Sequence, residues 1–410
     1  MRKLLLLAVV LVLAVVVTGC ASQTRSGDSI GRTLPAATNG SSSASIDDPE
    51  LSLEQMLEED DFNLARALLL FSEEYYPEFA GVSSHDIDID ARLKRFDTYT
   101  TQLRDALRRD NSPRQRVRTL VDFIHIKLGL RFDGRDQRGE NPDNLFFDRV
   151  LQNRYGYCVT LSLAYLVFGQ GAGLDVSGVR FPGHFAVLYK DTDTNGTPYE
   201  TILETTDFGD TRDEVYYWSE YRFSATSVEN GVYLTPMTDK EIVGTLYNNL
   251  AGITYAGGDS NLAIQRYTRA LELAPNNAEA LYNRAIVESG IEEDRDALKD
   301  LNEAIRLDPN FTLAFIARSG LLWSAGERDA AFADLAEAKR KRPEWPQTWM
   351  LEGMFQFEQG DLDAARTSFS RVLDLDPEYS SAHLALAELE YKAGNDAEAR
   401  KHEAAAGVNK

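Results

Sequence analysis

Cysteine is nearly missing from this chain: two residues, Cys20 and Cys158, in 410. No framework of disulfides can hold such a fold, so its stability must come from an apolar core. Histidine is also scarce, at five residues, which leaves few candidates for a base near neutral pH. Positive charge is short: 43 Lys and Arg stand against 65 Asp and Glu, a net charge of −22. That balance argues against nucleic acid as a partner and against basic adhesion to anionic membranes. The N-terminal apolar run, Leu4 to Val17, is too short to span a bilayer. What is plentiful is apolar material, 43% of the residues, enough for two domains.

Arg2 and Lys3 precede that run, and it closes on Val17-Thr18-Gly19-Cys20. A charged start followed by a short apolar stretch marks an export leader. These residues resemble a bacterial lipoprotein signal. The resemblance implies a signal peptide over 1–19, lipidation of Cys20 and a lipid anchor in place of a transmembrane helix. Ala21 rather than aspartate follows the cysteine, which in that family implies sorting to the outer membrane, facing the periplasm. Residues 20–50 are rich in Ser, Thr, Gly, Asn and Asp with almost no large apolar side chains, and are expected to form a flexible tether.

Apolar residues recur at helical spacing from Leu53 to Leu69, from Ile89 to Leu107 and from Pro113 to Leu128. A short helix around Phe147–Gln152 then leads to Tyr155-Gly156-Tyr157-Cys158-Val159-Thr160-Leu161. The run Val159–Phe168 reads as a helix stopped by Gly169, Gly171 and Gly173, which puts Cys158 at a helix N-terminus. Unsatisfied amides and the macrodipole favour a thiolate there, the form that attacks a carbonyl carbon. The competing expectation is a buried small hydrophobe. Among the histidines, His184 has a setting: Arg180 to Tyr189 reads as a loop leading into a strand, Thr194-Asn195-Gly196-Thr197 as a hairpin turn, and Tyr199–Thr206 as the returning strand.

A cysteine on a helix N-terminus, a histidine opening a strand and a carboxylate on the adjacent strand resemble the transglutaminase-like papain fold. The narrower match is to its SirB1-type branch, carried by Asn63 to Leu70 with Tyr76-Pro77, by Gly156 to Leu161, by Phe181-Pro182-Gly183-His184-Phe185, and by Tyr233-Leu234-Thr235-Pro236 with Leu246 to Leu250. Helical repeats commonly follow in that branch. Many of its members lack the cysteine, so the resemblance alone does not imply catalysis, but this chain keeps it. Glu204 and Asp207 differ by three positions, so on a regular strand only one of them can share a face with His184. A strict two-residue turn sets His184 opposite Asp207, whereas a longer loop from Thr192 to Gly196 sets it opposite Glu204. Leu203-Glu204-Thr205-Thr206 resembles the family's carboxylate-bearing strand, and Glu204 is preferred, with Asp207 as the alternative.

Asp191, Asp193, Asn195 and Gly196 match the first half of a calcium loop, but Ile202 stands where the bidentate acid belongs, and a solvated turn is expected. His85, His125, His383 and His402 show no ligand spacing. No metal or cofactor is expected.

Pro275, Pro309, Pro343 and Pro377 recur with a period of 34, and Ala263, Ala297, Ala331 and Ala365 precede them by 12. Ala270, Ala304 and Ala338, with Tyr267, Leu301 and Leu335 between, complete the pattern of tetratricopeptide repeats. Four full repeats and a shortened fifth are expected over 244–410. The inner face, carried over position by position, offers Asn248, Tyr282, Ile316, Met350 and Leu384, with Trp323 and Met354 nearby. It lacks lysine and arginine, so an apolar or extended peptide suits it better than a carboxylate clamp. The expected architecture is an α+β transglutaminase-like (papain-like) domain over 51–243 followed by an all-α tetratricopeptide solenoid. The expected function is a thiol site acting on peptide or glutamine amides, by hydrolysis or acyl transfer, with repeats recruiting a protein or peptide. The rival expectation is a non-catalytic scaffold for envelope assembly.

Overall fold

A computed structural model describes residues 51–110, 112–136 and 141–407. The leader, the lipidation at Cys20 and the tether all lie outside the described residues. Two compact units divide between Ala280 and Leu281.

The first unit opens with four helices: α1 (Leu53–Glu58), α2 (Leu64–Ala80), α3 (Ile89–Leu107) and α4 (Pro113–Asp122). Each starts where Ser52, Asn63, Asp88 or Ser112 turns its side-chain oxygen onto an amide of the first turn. The helix expected to run on to Leu128 instead widens into a π-type turn over Phe123–Lys127. His125 on that turn is buried, with Nδ1 2.8 Å from the Leu130 carbonyl and Nε2 2.7 Å from the Tyr165 hydroxyl.

Strand β1 (Arg131–Phe132) pairs in parallel with β2 (Tyr155–Gly156), and α5 (Phe147–Asn153) lies between them in the chain. The next helix, α6 (Cys158–Gly171), is apolar on nearly every side and buried along most of its length, as a central core helix should be. Four antiparallel strands follow in the order β3 (Asp175–Phe181), β4 (His184–Thr192), β5 (Pro198–Glu204) and β6 (Asp210–Arg212).

Two expectations are corrected in the sheet. The segment before His184 is a strand rather than a loop, and Pro182-Gly183 makes the tight turn, with Gly183 at φ 65° where a side chain would be strained. The register of β4 and β5 matches neither turn expected from sequence: Thr192 pairs with Pro198 and Val187 with Leu203. The turn is a five-residue loop built on Asp193, whose carboxylate accepts the amides of Asn195 and Thr197, each at 2.8 Å. Pro198 sits at the first position of its strand, where its missing N–H is tolerated.

After α7 (Glu214–Tyr221) and α8 (Ala225–Glu229), the chain runs back beside β3, with the Met237 amide donating to the Gly178 carbonyl at 2.9 Å. Two helices then form the first tetratricopeptide pair, α9 (Asp239–Ala256) and α10 (Ser260–Leu273). Leu246, Tyr247, Leu250, Ala270 and Leu273 join one core with Phe71, Phe146 and α6. The Tyr247 ring meets Phe71 edge-on at 5.3 Å, and its hydroxyl lies 3.0 Å from that of Tyr75. The division expected at 243/244 therefore falls inside α9, and the first repeat packs as part of the N-terminal unit. The observed boundary lies near the start of the next helix, α11 (Ala278–Gly290).

The second unit carries the remaining helix pairs. They include α12 (Asp294–Leu307), α13 (Thr312–Ser324), α14 (Arg328–Lys341), α15 (Pro346–Gln359) and α16 (Leu362–Leu375). Ala297, Ala304, Ala331, Ala338 and Ala365 are all fully buried. Small side chains at these positions let neighbouring helices approach closely. A Cβ on Gly353 would lie 2.6 Å from the Phe369 ring, which shows how tightly α15 meets α16.

Candidate active site

Helix α6 can begin at Cys158 because Gly156 brings the chain in close: a Cβ there would lie 2.8 Å from Thr160 Oγ1 and 2.9 Å from a Val150 methyl. Thr160 then fixes the first turn. Its hydroxyl accepts the Tyr157 amide at 3.0 Å and donates to the Asn144 carbonyl at 2.8 Å. The Cys158 thiol is thus held at the positive end of a 14-residue helix. It is fully buried.

His184 opens β4 directly after the Pro182-Gly183 turn. Its Nε2 lies 2.7 Å from Glu204 Oε2, and the imidazole is hydrogen-bonded to Cys158. With Nε2 committed to the carboxylate, Nδ1 is the nitrogen left for sulfur. Extending the observed register puts His184 opposite Thr206, so Glu204 reaches it diagonally from the same face. Strand parity thus puts Glu204 rather than Asp207 on the His184 face, although the five-residue loop lies one position later in the chain than the longer turn expected. Asp207 belongs to the turn after β5, where its side chain is 63% exposed and pairs with Arg212 at 3.4 Å. It does not meet His184.

Tyr217 on α7 donates its hydroxyl to the other Glu204 oxygen, and its ring stacks on Phe181 at 4.1 Å. Tyr221, one turn further, lies nearly parallel to the His184 ring at 6.0 Å. Thr205 ties the carboxylate strand to the thiol helix: its hydroxyl donates to the Cys158 carbonyl at 3.3 Å and lies 3.0 Å from Ser162 Oγ. Sequence reasoning missed these supporting residues. The one available signal was the hydroxyl pair beside Glu204, Thr205-Thr206.

The electrostatics favour charge separation. Burial pushes the His184 imidazole down, but the Glu204 carboxylate and the hydrogen bonds to Cys158 and Glu204 outweigh it and raise its pKa to about 10. Burial pushes Glu204 up, and the imidazolium together with the Tyr217 hydroxyl overcomes that and holds it below its ordinary value. A protonated imidazole between a carboxylate and a thiol is the arrangement that stabilises a thiolate at neutral pH.

The inner-face residues of the repeats behave differently from expectation. Asn248 is buried in the first unit and donates to Asn249 at 3.2 Å. Tyr282 is fully buried against Phe311, with ring centres 5.2 Å apart. Ile316 and Trp323 sit in an inter-helix core where Trp323 stacks on Phe355 at 4.2 Å. Met350 is buried in the next core, with Met354 packed against it, and only Leu384 of the set is open, at 40% exposure. Apart from Leu384, these side chains are packing residues rather than an open peptide groove. Residues spaced by one repeat fall where successive helix pairs touch, so the spacing that aligns them also buries them.

Residues 90–248 match the model of the transglutaminase-like superfamily, and residues 253–287 and 356–402 match tetratricopeptide repeat models. The chain is thus a transglutaminase-like domain followed by tetratricopeptide repeats. Among curated proteins it is similar to the UPF0162 protein of Xylella fastidiosa strain Temecula1, at 24% identity over 274 residues, covering 63% of this chain and 84% of that protein. The same protein from strain 9a5c is 24% identical over 257 residues, covering 59% and 79%. Solved structures that resemble it include MamA from Desulfovibrio magneticus RS-1, at 19% identity, 40% and 93% coverage and a TM-score of 0.36. A thermophilic TPR protein of Thermus thermophilus shows 24% identity, 40% and 89% coverage and a TM-score of 0.36.

Proposed function

We propose that Cys158, His184 and Glu204 form the nucleophile, base and orienting carboxylate of an acyl-transfer site acting on peptide or glutamine amides. The carrying observation is the continuous hydrogen-bonded chain from the Cys158 thiol through His184 to Glu204, with Tyr217 closing its far end. The Cys158 thiolate attacks the amide carbonyl carbon, forming a carbon–sulfur bond and an oxyanion that the Cys158 amide helps to bind. As the carbon–nitrogen bond breaks, His184 gives its proton to the leaving amine. Water, or a second amine, then attacks the thioester; His184 takes a proton from it and the thiolate is released. Glu204 keeps the imidazole oriented and stabilises its charge throughout. In this reading the protein is a lipoprotein of the cell envelope, anchored through Cys20 and facing the periplasm, and the repeats recruit a protein or peptide partner.

One observation favours a second reading. Cys158 is fully buried, so a substrate reaches it only if the site opens, and a triad that never opens would serve a scaffold as packing. Cys158→Ser separates the two. As an enzyme, the chain loses its cellular role while abundance and partner capture persist; a silent substitution supports the scaffold.

A further inference from the structure

We infer that the groove between α11 and α12 is the docking site for an acidic amphipathic helix of a partner protein. The inference rests on the reading of the repeats as a recruiting module, and not on the thiol site.

The groove has a volume of about 810 Å³. Leu281 of α11 and Leu298 of α12 give it apolar surface, and Arg295 and Lys299 of α12 stand exposed beside them. Residues four apart on a helix share a face, so the two cations act together. Three arginines of the same unit are each matched by the acid three positions before: Arg306 by Glu303, Arg340 by Glu337 and Arg366 by Asp363. The acids that line the groove, Asp300 and Glu303, are held by Arg284 and Arg306. Among the described residues, neither Arg295 nor Lys299 forms an ion pair. In a chain of net charge −22, two uncommitted cations beside apolar surface complement an acidic, partly apolar segment.

The first helix pair shows what such a surface takes. One period of 34 earlier, Tyr247, Arg266 and Arg269 correspond to Leu281, Asp300 and Glu303 of the groove. There Glu54 of α1 accepts from the Tyr247 hydroxyl at 3.1 Å and from Arg269, and Glu78 of α2 accepts from Arg266. The equivalent surface thus already holds carboxylates carried on helices, with Leu53 and Leu57 of α1 buried. Glu54 and Glu58 follow Leu53 and Leu57 with the four-residue spacing that separates Arg295 from Lys299. Asn261 and Gln265 stand in the first pair where the second has Arg295 and Lys299, so the second groove carries cations of its own.

The probe is a fluorescein-labelled peptide of residues 51–61 of this chain, added to the full chain at low ionic strength and followed by fluorescence anisotropy. Binding should weaken about tenfold in Arg295→Gln with Lys299→Gln, vanish in Arg295→Glu with Lys299→Glu, and fall as salt rises, while Arg340→Gln leaves it unchanged. Both side chains are exposed, so the variants should melt like the wild type. No binding to the wild-type chain, undiminished binding to the double variants, or equal binding of the same peptide with its acids replaced by Gln and Asn overturns the inference. Each of these results leaves the recruitment reading standing, because it concerns one groove only. That reading fails on a different result, a cellular partner that crosslinks only to residues 51–280. A wild-type dimer that the double variants do not form assigns the groove to a second copy and overturns the partner assignment.

Discussion

Buried polarity is handled differently in the two units. In the repeats, matched ion pairs recur with the sequence period. Arg284 holds Asp300 with two hydrogen bonds of 2.6 and 2.9 Å, and 34 positions later Arg318 holds Asp334 at 2.8 and 2.7 Å. In the transglutaminase-like unit the buried charges are singular. The His184–Glu204 pair occurs once, next to a thiol, and Arg180 leaves two nitrogens unmatched. Periodic, satisfied pairs belong to architecture. A shifted group alone does not mark a site, since burial also raises Glu288 in the repeats to about 7; the His184–Glu204 pair stands apart because it lies next to a thiol.

This contrast can be broken at several points, and the largest effect is expected in the repeat core. Leu335→Ala removes a fully buried side chain and should cost about 2–5 kcal/mol in denaturant unfolding of the full chain, with Cys158 reactivity unchanged. A parallel loss of thiol reactivity would mean that the units are not independent in this respect. His184→Ala should do the opposite: alkylation of Cys158 at pH 6 falls about 100-fold, equivalent to about 2.7 kcal/mol, while the melt of the repeats stays put. Asp334→Ala strands Arg318 half-buried and should cost about 1–3 kcal/mol, measured by chemical denaturation, whereas Asp334→Asn should cost less. The smallest effect is expected at an exposed pair: Glu303→Ala, opposite Arg306, should change stability by less than about 1 kcal/mol.

The pH dependence sharpens the same contrast. The folded pKa of His184 is raised, so its contribution to stability is fully present below its ordinary value of about 6.5 and is lost as pH rises through about 10. The folded pKa of Glu204 is depressed, so its contribution is present above the ordinary carboxylate value and is lost as pH falls through the folded one. The stability gap between wild type and His184→Ala should therefore be widest in mildly acidic solution and narrow towards pH 10. A gap that grows with pH contradicts the protonated imidazole.

The parts of this molecule that repeat or alternate can be read from its sequence. The 34-residue spacing of Pro275, Pro309, Pro343 and Pro377 reflects a stacking unit, and the parity of Glu204 against Asp207 follows from strand geometry alone. What cannot be read depends on which surfaces meet. Tyr217 reaches the site from a helix whose approach is set by tertiary packing, and nothing local marks it; Thr205, in the turn after β5, is marked only by the hydroxyl pair Thr205-Thr206. The β4–β5 register turns on an aspartate-centred loop rather than on Asn195-Gly196, because side-chain capture of amides by Asp193 competes with the ordinary hairpin signal. The period assigns the first repeat to the solenoid, yet its apolar face is used by the neighbouring core. The inner-face aromatics are buried rather than open because position within a repeat says which way a residue points and not how closely the next repeat covers it.

The most direct test of the thiolate–imidazolium site is the rate of Cys158 alkylation by iodoacetamide between pH 5 and 9, in wild type and His184→Ala. Such a site predicts substantial reactivity well below the ordinary cysteine value of about 8.5, and its loss in His184→Ala. A single rise centred near the ordinary value and indifferent to His184 would contradict it.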